Sequence, residues 1–565
     1  MEQGSLNKKT LKNYPPVLSE TDDWPVVKMA RNREAFIKEV VQRSFENLKK
    51  HVKNNEELIE EIETTVYREK LRSKKKPWRV DPEDEVYYWN NIQEELVDIS
   101  NQKEEDNEKQ LDVIVYKIIE RYANEIAGNF KKSRYRFARK ILKWGFSRLL
   151  NASMLGGIGS FLKDDVSLLD KLQIHGEAEH IRKMATKGTV IMVPTHFSNL
   201  DSALIGFIIH ILGLPAFIYG AGLNLFNIGI FAYFANSLGA YKVDRRKKNR
   251  LYLETLTTYS TLAIKKGSHS LFFPGGTRSR SGRIEENLKL GLLSSAMEAQ
   301  RLCVEEAEGD KYQKIFVFPV VINYHFVLEA PSLIQEYLKT KGQERFYVDK
   351  DEYTTSYKTA SFLLKFFTKG SSISVSIGKG MDLFGHYVDD EGNSLSKTGN
   401  KIDIKEYFMY DGVIKEDSQR EYQYSMSLGK IIVEEYHRLN RVFSSHLAAF
   451  TAFVLILKKH KQLDLYNILR LPEEDLIIDY KTFAEAFDKV RQEVFNLKKL
   501  GKIDHASHIV GELDEVIDHG ISNVGMYHAK RPLAKNNDGN IMVQDATVLY
   551  YYHNRLKGYD LSKLI

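Results

Sequence analysis

The sequence has a single cysteine, Cys303, among its 565 residues, which excludes an intrachain disulfide and a cysteine-built metal site. It also lacks internal repeats, low-complexity linkers and any run of about 20 uncharged apolar residues, so we expect no membrane-spanning helix. Polar residues rather than an apolar segment follow Met1, which predicts that no signal peptide is present. The net charge of +6 is small for this length and argues against a nucleic acid partner.

The remaining composition, 43% hydrophobic and 28% charged residues, is that of a globular protein long enough for two or more compact units. Changes in charge and periodicity divide the chain into four regions. They are a charged helical region at 1–110, a helical segment with a basic amphipathic helix at 111–170, an α/β core at 171–390 and a mainly helical region at 391–565.

Strand-like and helix-like patterns alternate through the core region. The strand candidates are Lys171–His175, Val190–Val193, Ala216–Tyr219, Ala240–Val243, Leu271–Phe273, Lys314–Ile322 and Ile373–Ile377. This alternation predicts an α/β fold in which helices flank a central sheet that is mostly parallel or mixed, with additional helical regions at both ends of the chain.

A histidine and a carboxylate flank the turn that follows the second strand. His196 lies where the chain leaves the sheet, and Asp201 comes five residues later, before a long apolar segment, from Leu204 to Ile218, that predicts a buried helix ending near Gly213-Leu214-Pro215. If Ser198 caps that helix, Asp201 can reach back to the imidazole, fix its tautomer and make the other ring nitrogen a better base. Such a pair could take a proton from an alcohol that attacks an activated acyl group. The alternative is structural, because the same residues form a capping box.

Two further turns carry arginines at strand ends. One contains Arg245 and Arg246, and the other is glycine-rich and contains Arg278 and Arg280. Each alone is typical of a basic surface loop, but beside His196 they would make a phosphate clamp next to a base. The sequence has no nucleotide-binding glycine loop, no metal-like cluster and no nucleophile elbow, so we expect no cofactor, no metal and direct attack by the acceptor.

Residues 131–151 predict a basic amphipathic helix. Phe137, Ile141, Trp144 and Leu149 share one stripe, and Arg and Lys are abundant elsewhere in the segment. This pattern is typical of a helix on an anionic membrane surface. The alternative is a helix whose apolar stripe packs on the protein core.

Four sequence blocks resemble, in order, those of the glycerolipid acyltransferase superfamily: His196–Asp201, Gly239–Arg246, Gly275–Arg280 and Val317–Tyr324. Three shorter segments are similar to the large bacterial-type glycerol-3-phosphate acyltransferases: Gly220–Leu225, Ser279–Arg283 and Leu549–Asn554. Two departures stand out. Gly275 occupies a position where many members carry glutamate, and Val243-Asp244-Arg245 is closer to the lysophosphatidate acyltransferases.

The resemblance implies a role for each matching residue. The implied roles are His196 as general base, Asp201 as its orienting partner, Arg245, Arg278 and Arg280 as phosphate ligands, Gly276, Thr277 and Asn224 as the substrate loop, and Pro319 on the acyl side.

The implied reaction transfers a fatty acyl group from acyl-CoA or an acyl carrier protein to glycerol 3-phosphate, in phospholipid biosynthesis. The implied location is peripheral, on the cytoplasmic side of a membrane. Two alternatives stay open. The acceptor could be 1-acylglycerol 3-phosphate, or the protein could be a non-catalytic membrane-surface scaffold, for which the missing glutamate at Gly275 is the best argument.

Overall fold

A computed structural model describes residues 14–75, 78, 81–100, 107–137, 140, 172–223, 239–309, 311–341 and 372–565. Asn224 lies outside these ranges, as do most of the residues of the predicted amphipathic helix, including Trp144. Residues 132–137 of that segment are helical, and the side chain of Phe137 is exposed.

The core of the molecule is one seven-stranded sheet. Its strands are β1 (Leu172–Gly176), β2 (Gly188–Pro194), β3 (Ile218–Gly222), β4 (Ala240–Val243), β5 (Ser270–Leu271), β6 (Lys314–Tyr324) and β7 (Ile373–Ile377). Their spatial order is β1-β7-β6-β2-β5-β3-β4. Strands β6, β2, β5, β3 and β4 are parallel to each other, whereas β7 pairs with β6 in antiparallel fashion and β1 runs parallel to β7. The sheet is therefore mixed.

Helices cover this sheet and extend beyond it on both sides. Those before and within the sheet are α1 (Pro25–Arg31), α2 (Arg33–His51), α3 (Asn55–Lys75), α4 (Glu85–Ser100), α5 (Asn107–Ile126), α6 (Ala178–Lys187), α7 (Leu200–Ile211), α8 (Arg250–Lys265), α9 (Gly291–Glu305) and α10 (Ala330–Thr340). Those after it are α11 (Ser418–Leu439), α12 (Ser444–Lys459), α13 (Leu465–Ile468), α14 (Tyr480–Lys499), α15 (Leu513–Asn523) and α16 (Ala546–His553). The predicted fold class is confirmed.

Short strands accompany the C-terminal helices. They are β8 (Ser394–Leu395), β9 (Lys401–Ile402), β10 (Met409–Tyr410), β11 (Val413–Ile414), β12 (Arg441–Val442), β13 (Ile477–Ile478), β14 (Asp504–His505), β15 (Leu533–Lys535) and β16 (Ile541–Val543). They pair locally, as β8 with β9, β10 with β11, β12 with β14, and β16 between β13 and β15. The helix α12 is buried along most of its length and packs between α15 and α16.

The helix after β2 begins at Leu200, before the apolar segment that starts at Leu204, so that Asp201 lies in its first turn. It ends at Ile211, close to the predicted end near Gly213, and Ile218 belongs to β3. Gly213 adopts a φ of +65° directly after this helix, a left-handed conformation that favours glycine and ends the helix before Pro215. The apolar residues after Gly213 continue the hydrophobic run, but they are buried by the sheet rather than by the helix.

The N-terminal helices form a second hydrophobic core against the edge of the sheet. Helices α2 and α5 pack on each other and on α8, and Tyr241 from β4 joins the same cluster as Trp89 and Tyr122. No helix in the described ranges combines enough length with enough apolar character to cross a membrane. The N-terminal region therefore braces the sheet at the strand that carries the first arginine turn.

Candidate active site

The five parallel strands bring the predicted site residues to one edge of the sheet. His196 follows β2, Arg245 follows β4, Arg278 follows β5, and Tyr324 ends β6. Because carboxyl ends of parallel strands share an edge, these positions face the same side of the molecule. They are not equally close. β4 lies three strand spacings from β2 in the sheet order, about 14 Å at the usual spacing.

His196 and Asp201 meet across the turn. The imidazole Nδ1 lies 2.9 Å from Asp201 Oδ2, and the histidine side chain is 15% exposed whereas the aspartate is fully buried. The imidazole stacks on Phe273 at a ring distance of 4.2 Å. Among the described residues, no side chain or backbone group bonds Nε2. The arrangement fits a neutral imidazole that donates from Nδ1 and offers Nε2 as a base.

Asp201 accepts hydrogen bonds from four donors. Besides the imidazole, Oδ2 accepts from the backbone N–H groups of Phe197 at 2.6 Å and Ser198 at 2.9 Å, and Oδ1 accepts from the Tyr324 hydroxyl at 2.6 Å. Donors on every side suit an ionised carboxylate, which accepts and cannot donate. With both oxygens occupied by donors, the imidazole nitrogen that faces Asp201 must carry a proton. The tautomer of His196 is thus set by its surroundings.

The predicted cap at Ser198 is wrong. Asn199 is the residue before the helix and makes no side-chain cap, while the Ser198 hydroxyl donates to Glu329 at 3.0 Å and accepts from the Leu200 N–H at 3.2 Å. Asp201 lies in the first turn of α7 all the same, because its carboxylate binds the N–H groups of the turn itself. The turn is therefore folded around the carboxylate rather than around a serine cap.

The glycine-rich turn after β5 is attached directly to the histidine. The Ser279 N–H donates to the His196 carbonyl at 2.7 Å. Gly276 adopts a φ of +76°, and a Cβ there would lie 3.0 Å from Lys289 Cγ, so glycine suits both the conformation and the space. Thr277 at the tip is exposed. The arginines of this turn are consequently held at a fixed register beside the imidazole.

Both arginines of this turn have carboxylate partners. Arg278 lies 3.3 Å from Glu329, and Arg280 lies 3.0 Å from Glu336 at the surface. Glu329 is buried, and its other contacts are the Ser198 hydroxyl and the Asn199 N–H at 2.9 Å. A guanidinium has five N–H donors, so Arg278 keeps donors available for an anion while Glu329 orients it.

The turn after β4 contains one engaged and one open arginine. Arg246 pairs with Asp244 at 2.7 Å and with Asp81 from the N-terminal region, and it stacks 3.9 Å over the ring of Trp78. Arg245 is exposed, and no ion pair joins it to another described residue. Of the two arginines, Arg245 is therefore the one without a carboxylate partner in the described part of the chain.

Glu285 lies behind the catalytic turn and was not predicted. Its Oε1 accepts from the His196 N–H at 2.9 Å, its Oε2 has no partner in the described part of the chain, and burial raises its pKa to about 7. A Cβ on Gly275 would lie 2.9 Å from Glu285 Cγ. Gly275 therefore leaves space for the buried carboxyl group of Glu285, which lies ten residues later in the chain.

The C-terminal helix closes the site from behind. The Asn554 amide donates to the Ser281 carbonyl at 2.9 Å, and a Cβ on Gly282 would lie 2.2 Å from the Tyr551 carbonyl oxygen. Arg555 is fully buried, lies 4.0 Å over the Phe197 ring and has a pKa that burial lowers to about 10. Residues around 550 thus contact both the histidine turn and the arginine turn.

Pro319 is buried in the middle of β6, opposite Val193 of β2, and its carbonyl accepts from the Gly378 N–H at 2.8 Å. Its role on the acyl side stays a prediction. In the described part of the chain, no three His, Cys, Asp or Glu side chains are grouped to hold a metal ion.

Four contributors were missed: Glu285, Glu329, Arg555 and the hydroxyl of Tyr324. Tyr324 closes one of the four sequence blocks, so its position at a strand end was a usable signal. The other three reach the site from loops or from the C-terminal helix, and nothing in their local sequence distinguishes them from surface residues.

The comparisons with known proteins agree with this arrangement. Residues 171–323 match the family model described as Acyltransferase. Proteins named glycerol-3-phosphate acyltransferase are similar over part of their length. The protein of Alteromonas mediterranea is 27% identical over 225 residues, 40% of this chain and 24% of that protein. Those of Actinobacillus pleuropneumoniae and Glaesserella parasuis are 28% and 29% identical over 38% of this chain and 23% of theirs.

The chain thus spans about a quarter of the length of these relatives. The matched segment contains β1–β6 with His196, Asp201 and both arginine turns. The similarity to the acyltransferase family therefore falls on residues 171–323, the part of the chain that contains the candidate site.

Proposed function

We propose that this protein is an acyltransferase that moves a fatty acyl group from a thioester, acyl-CoA or acyl carrier protein, to a hydroxyl group of glycerol 3-phosphate. The observation that carries the proposal is the contact of His196 with buried Asp201 at the sheet edge where the arginine turns also end. The acyltransferase match over residues 171–323 supports the reaction class, and the names of the relatives support the acceptor.

The proposed chemistry needs one base and one anion clamp. Nε2 of His196 takes the proton of the acceptor hydroxyl as its oxygen attacks the thioester carbonyl carbon. The C–S bond then breaks, the ester forms, and the proton passes from the imidazole to the leaving thiolate. Asp201 stabilises the imidazolium between these steps, because a carboxylate at 2.9 Å favours the charged ring.

Arg278 and Arg245 are the proposed phosphate ligands. Arg278 lies on the turn that is bonded to His196, and its partner Glu329 also holds the histidine turn, so acceptor and base are oriented by one network. Arg245 lies farther along the sheet edge and is open. A phosphate bound between such arginines places the attached hydroxyl groups toward the imidazole.

One observation favours a second acceptor, 1-acylglycerol 3-phosphate. Arg246 is engaged by Asp244 and Asp81, so the turn after β4 offers a single open arginine, in keeping with the Val243-Asp244-Arg245 pattern noted in the sequence. The chemistry at His196 would be the same. The second acceptor carries an apolar chain on the oxygen of C1, so its free hydroxyl group is the one on C2.

An activity matrix tests the proposal. Purified protein is assayed with acyl-CoA and with acyl carrier protein as donors, each against glycerol 3-phosphate and against 1-acylglycerol 3-phosphate. Transfer to glycerol 3-phosphate that disappears in His196→Ala supports the proposal, and stronger transfer to the lyso-lipid favours the second acceptor. Transfer that survives in His196→Ala refutes the mechanism. No transfer with any pair supports the non-catalytic scaffold.

We also propose that the protein acts peripherally at an anionic membrane surface, on the cytoplasmic side, since the product is a lipid. The basic character of residues 131–151 supports this, and Phe137 at the described end of that segment is exposed. Flotation with vesicles that contain anionic lipid tests it. Equal binding by wild type and by a variant with Trp144 and the neighbouring basic residues replaced would refute a role for the segment.

A further inference from the structure

We propose that Glu285 is a positioning residue for the base, holding His196 in place through its backbone and acting on the imidazole through its charge. The inference rests on the proposed function, because it assigns a second carboxylate to the same base. Glu285 does not face the substrate. It acts from behind the turn that carries His196.

The position of Glu285 is built by the chain around it. Its Oε1 accepts the His196 N–H at 2.9 Å, so the carboxyl group is bonded to the same residue that carries the imidazole. The missing side chain at Gly275 provides the space, since a Cβ there would lie 2.9 Å from Glu285 Cγ and 3.1 Å from Oε1. The φ of Gly275 is not in the left-handed region, so the reason for glycine at this position is space.

The carboxyl group is also poorly compensated, which is uncommon for a buried acid. Its Oε2 has no hydrogen-bond partner among the described residues, and the groups that interact with its charge are His196, Arg555 and Tyr436. Arg555 is buried and lies over Phe197, the residue after the histidine. Glu285 and Arg555 lie close to the turn of His196 without forming a direct ion pair with each other. We therefore expect their charges to act mainly through the electrostatic potential that they create at the imidazole.

Burial disfavours the ionised form of a carboxyl group, so the fold holds Glu285 where its negative charge is unfavourable. Burial raises the pKa of Glu285 to about 7. Its ionisation therefore coincides with the pH range in which an imidazole also changes charge. An ionised Glu285 favours the imidazolium that forms during proton transfer, and a protonated Glu285 does not.

Glu285→Gln is the variant that separates charge from shape. The amide keeps the size and an oxygen that accepts the His196 N–H, but it removes the charge. At pH 8, where Glu285 is ionised, we expect kcat to fall about tenfold, the order of effect that one nearby opposite charge has on a titratable group, while KM for glycerol 3-phosphate stays within about twofold because the Glu285 carboxyl group is buried. The matched control is Glu286→Gln, since Glu286 is next in the chain and 58% exposed.

A second measurement does not depend on enzymatic turnover. Diethyl pyrocarbonate modifies the unprotonated imidazole, and peptide mapping by mass spectrometry reports the extent at His196 alone. At pH 8, where a pKa of about 7 leaves Glu285 ionised, removal of its charge disfavours the imidazolium, so His196 in Glu285→Gln should react severalfold faster than in wild type, whereas at pH 6 the two proteins should react alike. Glu286→Gln should match wild type. This readout tests the inference even if the full-length protein shows no acyl transfer.

A swap tests whether the carboxylate itself is what the turn needs. Glu285→Gly removes the side chain, and Gly275→Glu then enters the same space from the other side. We expect the double variant E285G/G275E to recover much of the kcat lost in Glu285→Gly. Thermal melts identify any variant that fails to fold.

The outcomes are distinct. Unchanged kcat and unchanged His196 reactivity in Glu285→Gln would overturn the inference, whatever the acyltransferase assay shows. Loss of transfer in His196→Ala together with wild-type behaviour of Glu285→Gln would overturn it and leave the proposed function standing. Faster modification at pH 8 in Glu285→Gln, with Glu286→Gln unchanged, supports it even where wild type transfers no acyl group.

Discussion

Asp201→Asn tests the proposed base most directly, because the structure specifies how the amide would fit. Its oxygen can take the place of Oδ2 and accept from the imidazole, Phe197 and Ser198, as the carboxylate does. Its NH2 group then faces the Tyr324 hydroxyl, which can rotate from donor to acceptor. The turn and the tautomer of His196 are therefore retained, and only the negative charge is lost.

The magnitude follows from that charge. Opposite charges about 4 Å apart attract by about 4 kcal/mol at an effective dielectric constant of 20, which sets an upper bound of about a thousandfold on the rate. Replacing a charge-assisted hydrogen bond by a neutral one accounts for about 1 kcal/mol of difference, which sets a lower bound near fivefold. We expect kcat to fall by about a hundredfold, with little change in the KM for the acceptor.

The assay is steady-state acyl transfer at saturating donor with the acceptor varied, beside His196→Ala and Tyr324→Phe. Tyr324→Phe removes one hydrogen bond from Asp201 but keeps its charge, so its kcat should fall less than that of Asp201→Asn. Thermal melts show whether each variant is folded. A kcat for Asp201→Asn within twofold of wild type would refute the role of the carboxylate. A fall in the kcat of Asp201→Asn as large as that of His196→Ala would refute the claim that His196 keeps its tautomer in this variant.

Three further predictions concern the surroundings of the base. Arg245→Ala should raise the KM for a phosphate-bearing acceptor about tenfold without lowering Tm. Arg246→Ala removes the arginine partner of buried Asp244 and one of the two arginines that pair with Asp81, and should cost about 3 kcal/mol in urea denaturation; the reverse pattern would contradict the assignment of Arg245. Gly282→Ala places a Cβ 2.2 Å from the Tyr551 carbonyl at a φ of +81° and should lower both Tm and kcat, and a variant with wild-type values would contradict the contact. Burial lowers the pKa of several histidines, so the unfolded chain binds more protons than the folded chain below pH 6.5 and Tm should fall from pH 7.5 to pH 5, against the opposite effect of the buried acids whose pKa is raised, such as Glu285. A Tm that rises would contradict this; the histidines are His325, His446, His508, His528 and His553.

The parts of the site that lie within one short segment could be predicted from the sequence. The approach of Asp201 to His196 follows from a strand, a turn and a helix start in 15 residues, and the shared sheet edge follows from the alternation of strands and helices. The register of the glycine-rich turn against His196 could not be predicted, because it depends on how β5 pairs with β2.

The contributors that were missed lie far along the chain from His196. Glu285 and Glu329 come from the loops after β5 and β6, Tyr324 from the end of β6, and Arg555 from beyond α16. Three of the four are charged residues, and burial of a charge is visible only after its partners are placed. The wrong cap at Ser198 has the same origin, since its hydroxyl is taken by Glu329, 131 positions away.

The contact of Asn554 with Ser281 joins positions 273 apart, and Arg555 reaches β6 across 233 positions. When the strands of the sheet have been synthesised, the residues near 554 that bind the glycine-rich turn after β5 have therefore not yet been made. The catalytic arrangement can form only late in synthesis, when residues near 550 emerge and dock on a body that is already folded. Until then the nascent chain exposes the apolar surface that α16 covers in the folded protein, and we expect chaperones to bind this surface.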